Sequence, residues 1–407
     1  MHLCDSSTRG ISWDNLVAFN SDNCSVMKGR HHSVITKLKA RQPNVQDVGC
    51  ICHLAQLATG CGIKAMKARV EDLLVGIYSH FDKSAKRSEI YKEFVNFTDT
   101  EHLQLLRYCS TRWLSLYTCI QRVLSQWAAL QAYFNSCEDE RSAKVRQLAN
   151  YLNDPQVKFY FLFLSTALKP MVLFNTSFQA EGVMIHKLHA EMKRLVKRYM
   201  GYILPARLIV DPLTEVSLNE EHQLPNTELF VGSEATALIV NEDLSTARIY
   251  KTARAFYVET IRKMLKVFSL DSELLKALTV LDPASRLDLS PVTVTRLGEM
   301  LPQLRLDPDK LREELIDYQV ADEKELPQEQ KVDRFWGLLG KQCFSEIARL
   351  MKALLCISHS NASSERTFSM VRKITTENRS SLSNSTLCSF FVLQDKLHQT
   401  CSQVCPF

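Results

Sequence analysis

The sequence predicts a helix-rich chain of the α/β plus α class, with a short α/β layer near the N-terminus, a long and nearly all-helical middle, and a short final unit. Three observations predict it. Glycine and proline are sparse, at twelve each among 407 residues, too few turn signals for a many-stranded all-β fold. Only two runs, both near the N-terminus, read as strands. Apolar residues then recur at three- and four-residue spacing through most of the remaining chain. Hydrophobic and charged shares of 45% and 23% are those of a folded protein with a sizeable core, and they exclude the highly charged disordered class.

The elements follow in order. Within ISWDNLVAFNSDN (11–23) the apolar run Leu16 to Phe19 reads as a buried strand that delivers Asp22 to its C-terminal end. A helix follows from about Val26, bearing Lys28, Arg30, Lys37 and Lys39. VQDVGCICHLAQLA (45–58) reads as a second strand turning into a helix. Two strands are too few to close a sheet, so they form part of an α/β layer.

From about residue 62 the spacing is helical. Val70, Leu73, Leu74, Ile77 and Phe81 fall on one face, as do Ile120, Val123, Leu124, Trp127 and Leu130. FYFLFLSTALKPMVLF (159–174) is the most apolar stretch, but it contains Lys169 and Pro170 and is too short to span a bilayer. It reads as a buried helix broken near the proline, and no membrane is expected. GVMIHKLHAEMKRLVKRYM (182–200) carries Met184, Leu188, Met192, Leu195 and Tyr199 on one side and five basic residues over much of the rest.

Residues 211–245 hold eight acidic side chains and no Lys or Arg, with prolines at 212 and 225, and read as an acidic loop region. Helical spacing resumes from about Leu244 to Phe268, and a polar interval at 320–335 precedes the last unit. The expected divisions are therefore 1–60, 61–330 and 331–407.

Net charge is +5 with a pI near 8.5, mildly basic and compatible with a nucleic-acid partner without requiring one. The thirteen cysteines are scattered and odd in number, and MHLCDSSTRG lacks the apolar core of a signal peptide. An intracellular, reducing compartment is the expectation.

Four motifs could carry chemistry. SDNCSVM (21–27) places Asp22 at a strand end, where a carboxylate suits a hard cation such as Mg2+; an Asp before Asn is also a common turn or helix cap. CICH (50–53) separates Cys50 and His53 by two residues, a zinc-compatible spacing that lacks a matching second pair; Cys61 is the one nearby extra candidate. His186 and His189 are three apart without an HExxH pattern and read as structural. CSTRWLS (109–115) opens a helix with Arg112 and Trp113, which could hold a phosphate and stack on a base, or simply pack in the core. In SSERTFSMVRK (363–373), Ser363 or Ser364 can cap a helix whose first turn carries Glu365, where a carboxylate favours the dipole.

Taken in order, these motifs resemble the hAT (hobo–Activator–Tam) superfamily of DNA transposases and proteins derived from it. The resemblance is carried by SDN with a following Met, CxxH with LAQLA, TRWLS, LDPASR (281–286) and NASSERTFSMVRKITTENRSSLS (361–383). The last segment is similar to the family's C-terminal dimerisation region, with Arg379 and Leu382 as its later Arg-x-x-Leu pair.

The resemblance implies an RNase H-like domain interrupted by a large, mostly helical insertion. Asp22 then matches the second of three metal-binding acids and Glu365 the third. Cys50 and His53 match the CxxH pair, and Arg112 and Trp113 the pair that supports hairpin handling. Phe368, Val371, Ile374, Leu382, Leu387, Phe390 and Phe391 would form the dimerisation surface, extended by Val392 and Leu397.

Relative to the family the sequence starts inside the RNase H-like region, so the domain is expected to be incomplete. The first acid is then absent, since Asp5 and Asp14 are not on a convincing first strand. The resulting expectation is a non-catalytic, dimerising, transposase-derived protein: a homo-oligomer or a partner of a related hAT-derived protein, nuclear or otherwise cytoplasmic, with basic segments near 64–69 and 187–198 as candidates for association with DNA. No cofactor is expected, with Mg2+ or Mn2+ only if an active site is completed. The alternative is a fragment, or an incompletely assigned product, of an active metal-dependent hAT transposase.

Overall fold

Strand β1 (Ala18–Ser21) pairs in parallel with β2 (Gln46–Gly49), in register from Ala18 opposite Gln46 to Ser21 opposite Gly49. Parallel neighbours need a crossover, and here it is α1 (Ser25–Lys28) followed by α2 (Val34–Arg41). The sequence predicts one helix in this crossover. It is split because the chain turns extended at Gly29 and His32 takes a left-handed φ of 54°. Ile35 and Leu38 of α2 cover the strands with Val45, Phe19 and Trp13 in a small core of their own. Lys28 reaches Asp47 at 2.6 Å and ties α1 to β2.

The computed structural model describes residues 12–108, 115–137, 142–180, 182–242 and 244–375, with positions 382, 383, 386 and 389. The chain divides into two units, Met1–His359 and Ser360–Phe407. Among the described residues β1 and β2 are the only strands, and helix dominates the remainder.

In the first unit β2 runs directly into α3 (Ile51–Met66). Helices α4 (Val70–Phe81), α5 (Ala85–Phe97), α6 (Ser115–Ser125), α7 (Trp127–Ser136) and α8 (Ala143–Asn153) follow. The spacing from Ile120 to Leu130 predicts one continuous helix, but α6 and α7 part at Gln126. Its buried amide accepts from Tyr91 Oη at 2.9 Å and donates to Leu103 O at 2.9 Å. Pairing those two groups outweighs an unbroken helix, since buried polar groups left unpaired are costly.

The apolar stretch forms α9 (Pro155–Ala167) and α10 (Lys169–Gln179), bent by 41°. Pro170 has no N–H to give the preceding turn, which locates the break. No single helix among the described residues is long and apolar enough to cross a membrane, and this pair buries Phe159, Phe161, Phe163, Phe174 and Phe178 inside the protein. Then come α11 (Ile185–Gly201), α12 (Ser233–Asn241), α13 (Thr246–Val267), α14 (Glu273–Ala277) and α15 (Pro291–Glu299). The unit closes with α16 (Pro308–Val320), α17 (Val332–Leu339) and α18 (Ser345–Leu355).

The acidic stretch is not loop throughout, because α12 occupies its last third. Leu213, Leu218, Leu229, Val231, Ala235 and Ile239 are buried and pin it to the core. Basic residues hold its backbone as well. Arg254 donates to Leu224 O and Asn226 Oδ1, while Lys193 and Lys197 both reach Asp211. Part of the basic face of α11 is thus spent on a neighbouring acid.

The centre of the unit is the crossing of α3 and α13. Gly62 on α3 meets Phe256 and Thr260 on α13, and Ala55, Ala58 and Ala253 on the same two helices are buried as well. A Cβ on Gly62 would stand 2.1 Å from Thr260 Oγ1 and 2.8 Å from Phe256 O. Only glycine permits this approach. Around it Tyr199 donates to Ala167 O and Tyr257 to Phe230 O, so both buried hydroxyls are satisfied.

Two outcomes follow. Gly62→Ala should lower stability by about 2 kcal/mol through overpacking, read from urea unfolding. Adding Thr260→Ala should restore only part of that, because the Phe256 carbonyl stays in place. His80 is the second case. It is buried against Tyr133 Oη at 3.0 Å, and burial, with Arg87 and Lys144, lowers its pKa to about 4. The unfolded side chain titrates near about 6.5, so between these values the unfolded state binds the extra proton. Stability should therefore fall as pH drops from about 6.5 to about 4, and this loss should level off below that. His80→Gln should show a smaller difference between urea midpoints at pH 7.5 and pH 4.5 than the unsubstituted protein.

Candidate functional site

The two N-terminal motifs converge at the C-terminal edge of the parallel strands, the edge at which open α/β layers present ligand-binding groups. Ser21 and Gly49 are the last paired residues, so Asp22 and Cys50 leave the sheet side by side. Buried Ser21 donates its hydroxyl to Asp22 O, and Cys50 N–H donates to Ser21 O, each at 2.9 Å. Asn23 lies over Gly49, where a Cβ would come within 3.1 Å of its Oδ1. Cys50 is fully buried at the N-cap of α3, and His53 is half-buried in the first turn. Asp22 itself is half-buried.

A third segment shares this edge, and no motif signalled it. Asn20 Nδ2 donates to Ser358 O at 2.9 Å, and Ile51 N–H donates to His359 O at 3.1 Å. The buried His359 ring is 3.1 Å from Phe178 O through Nε2, and burial lowers its pKa. Ile357–His359 therefore straps β1, α3 and α10 together. The only signal in the sequence is a short polar–apolar alternation, ISHS (357–360), which is too brief to interpret. Cys52, on the buried side of α3, donates to Asn175 O at 3.8 Å.

Other candidates resolve into structural roles or lie elsewhere. Buried His186 and half-buried His189 sit on α11, and His189 Nε2 contacts Leu270 O at 2.8 Å. Asp14 lies in a 3₁₀ turn (Trp13–Asn15) and bonds with Ser12, not at a strand end. Among the described residues no three His, Cys, Asp or Glu side chains stand where they could hold a metal ion. No disulfide forms among these residues. Arg112, Trp113, Leu387, Phe390 and Phe391 lie outside the described residues, as do Asp5, Arg379, Val392 and Leu397.

Near the end of the first unit, α16, α17 and α18 form a tightly tied group. The N-cap position of α18, Phe344, has no capping side chain. Buried Glu314 on α16 takes that role from a distance, its Oε2 accepting from the N–H groups of Glu346 at 2.7 Å and Ile347 at 2.9 Å. A carboxylate there both satisfies orphan donors and opposes the helix dipole. LDPASR closes the group from upstream. Leu281 O accepts from Trp336 Nε1 at 2.8 Å, Asp282 caps its own 3₁₀ turn, and Arg286 donates to Tyr318 O and Ala321 O at the end of α16.

The second unit contributes α19 (Ala362–Ile374). The helix begins before the serines expected to cap it. Asn361 is the N-cap residue, and Ser363 and Ser364 lie inside the first turn, where Ser363 O accepts from Thr367 Oγ1. Glu365 is exposed in that turn. Ala362 is the one buried residue of the helix. Phe368 is 66% exposed, and Met370, Val371 and Ile374 are half-buried, as is Leu382 beyond the helix.

Residues 313–397 match the model of the hAT family C-terminal dimerisation region. That segment of the chain is therefore similar to the hAT C-terminal dimerisation region. No curated protein matches it. The hAT dimerisation region thus begins in α16, one residue before Glu314, and takes in α17, α18 and α19. LDPASR, outside the matched segment, fastens its first helices to the body of the first unit.

The Glu314 carboxylate gives a direct check on this region. Glu314→Ala should cost about 2 kcal/mol, because it strips acceptors from buried donors. Glu314→Gln should cost less than half as much, since an amide oxygen still accepts. Thermal melts of the two variants against the parent protein measure the difference.

Proposed function

We propose that this hAT-derived chain works as a non-catalytic dimer, pairing with a second copy or with a related hAT-derived protein. One observation carries the reading: within the matched dimerisation region, α19 buries only Ala362 and leaves Phe368 open to solvent. Phe368 and Val371 are three apart, so they share one helix face, and an exposed aromatic beside a half-buried valine at that spacing suits a partner helix.

The non-catalytic part rests on the acids. Asp22 and Glu365 correspond to two of the three that the family uses, and Asp14 is held in a capped turn. The β1–β2–α3 edge is read as the counterpart of part of an RNase H-like layer. Nuclear location and association with DNA belong to the same proposal. Contacts with a nucleic-acid backbone would weaken steeply with added salt.

Light scattering across a concentration series should show a dimer at tens of micromolar. Phe368→Glu with Val371→Glu should shift it toward monomer by at least tenfold in Kd, with an unchanged melting temperature of the first unit. A strictly monomeric parent protein would sink the dimer reading. Nicking of DNA that requires Mg2+ or Mn2+ and is lost in Glu365→Gln would overturn the non-catalytic part and favour an active transposase.

A further inference from the structure

The basic segment KAMKAR (64–69) lies at the corner between α3 and α4, where Lys67 caps α3 in a left-handed conformation and Arg69 precedes α4. There its last four residues, Met66 to Arg69, line a cavity of about 480 Å³, within the range of small-ligand sites. Lys67, Arg69 and Arg248 supply three cations. The one carboxylate among the lining residues, Asp154, has Oδ1 turned to Gln156 N–H at 2.8 Å as the cap of α9. Neither Lys67 nor Arg248 has an ion-pair partner among the described residues. Met66, Val157 and the largely buried Tyr160 supply an apolar and aromatic lining. Tyr151 holds Arg69 Nη1 through its hydroxyl at 3.3 Å.

Cations beside an aromatic lining suit one chemistry: a dianion attached to a planar ring. We infer that this cavity binds a phosphate monoester carried on a nucleobase, of the size of a mononucleotide. Arg69 and Arg248 meet the phosphate, and the tyrosines meet the ring. The basic face of α11 differs in this respect, because Lys193, Lys197 and Arg194 are engaged by Asp211 and Glu191. The site lies in the first unit and does not depend on the dimerisation surface of α19.

The same chemistry can come from a free mononucleotide or from the phosphorylated end of a strand. Calorimetric titration of the full chain with adenosine 5′-monophosphate, adenosine, inorganic phosphate, and a short single strand with or without a 5′-phosphate separates these sources. The expected result is binding of the monophosphate, at least tenfold weaker binding of adenosine, and at least tenfold weaker binding of the monophosphate to Arg69→Ala with Arg248→Ala. Both arginines are exposed, so the double variant should melt as the parent protein does without ligand. Arg248→Lys should recover part of the affinity. Binding of the 5′-phosphorylated strand alone, lost in the double variant, keeps the site and makes a strand end its ligand. Equal binding of adenosine and its monophosphate, equal binding by parent and double variant, or no binding of any probe at millimolar concentration would overturn it.

Discussion

The approach of α3 to α13 at Gly62 is the contact on which the rest of this structure depends. With no Cβ at that position, the Phe256 carbonyl and the Thr260 hydroxyl close on the backbone of α3. Protein interiors transmit such constraints because they are close-packed and have little room to relax. One end of α3 is the strand edge that carries Asp22 and Cys50, and the other end is the basic corner at Lys67. Helix α13 leads back to the acidic stretch through Arg254. A single crossing therefore sets the positions of three features that are far apart in sequence.

Around that crossing the chain is held by side chains that reach backbone carbonyls and amides. Trp336 on Leu281 O, Arg286 on the last carbonyls of α16, Asn20 on Ser358 O and Glu314 on the amides of α18 follow one pattern. Each pairs a polar group that burial would otherwise leave without water. Together they fasten short helices that have too few residues to be stable by propensity alone. The first helices of the dimerisation region thereby become part of the main body.

How far the sequence was legible differs by element. Strand β1, the β2–α3 turn, α4, α13 and the bend near Pro170 follow from periodicity and from the chemistry of one imino acid. The division of α6 from α7 does not, because it comes from the distant partners of Gln126. Helix α12 is hidden by the acids around it, which mark solvent exposure on one face and say little about the burial of Ala235 and Ile239 on the other. At the candidate site, the spacing of SDN and CICH foretold two strand ends without foretelling that they adjoin. The strap at Ile357–His359 left only the brief ISHS alternation, since backbone carbonyls are its main contribution.

The sequence alone determined the helix-rich class, the order of the main elements and the likeness of the last unit to the hAT dimerisation region. All three are written in local spacing and ordered motifs, which survive without knowledge of contacts. Only the tertiary structure decided which basic residues stay available. It paired Lys193 and Lys197 with Asp211, brought Arg248 to Lys67 and Arg69, and set Phe368 outward on α19. Charge and apolarity belong to a residue, but their use depends on the neighbour that folding brings within a few ångströms.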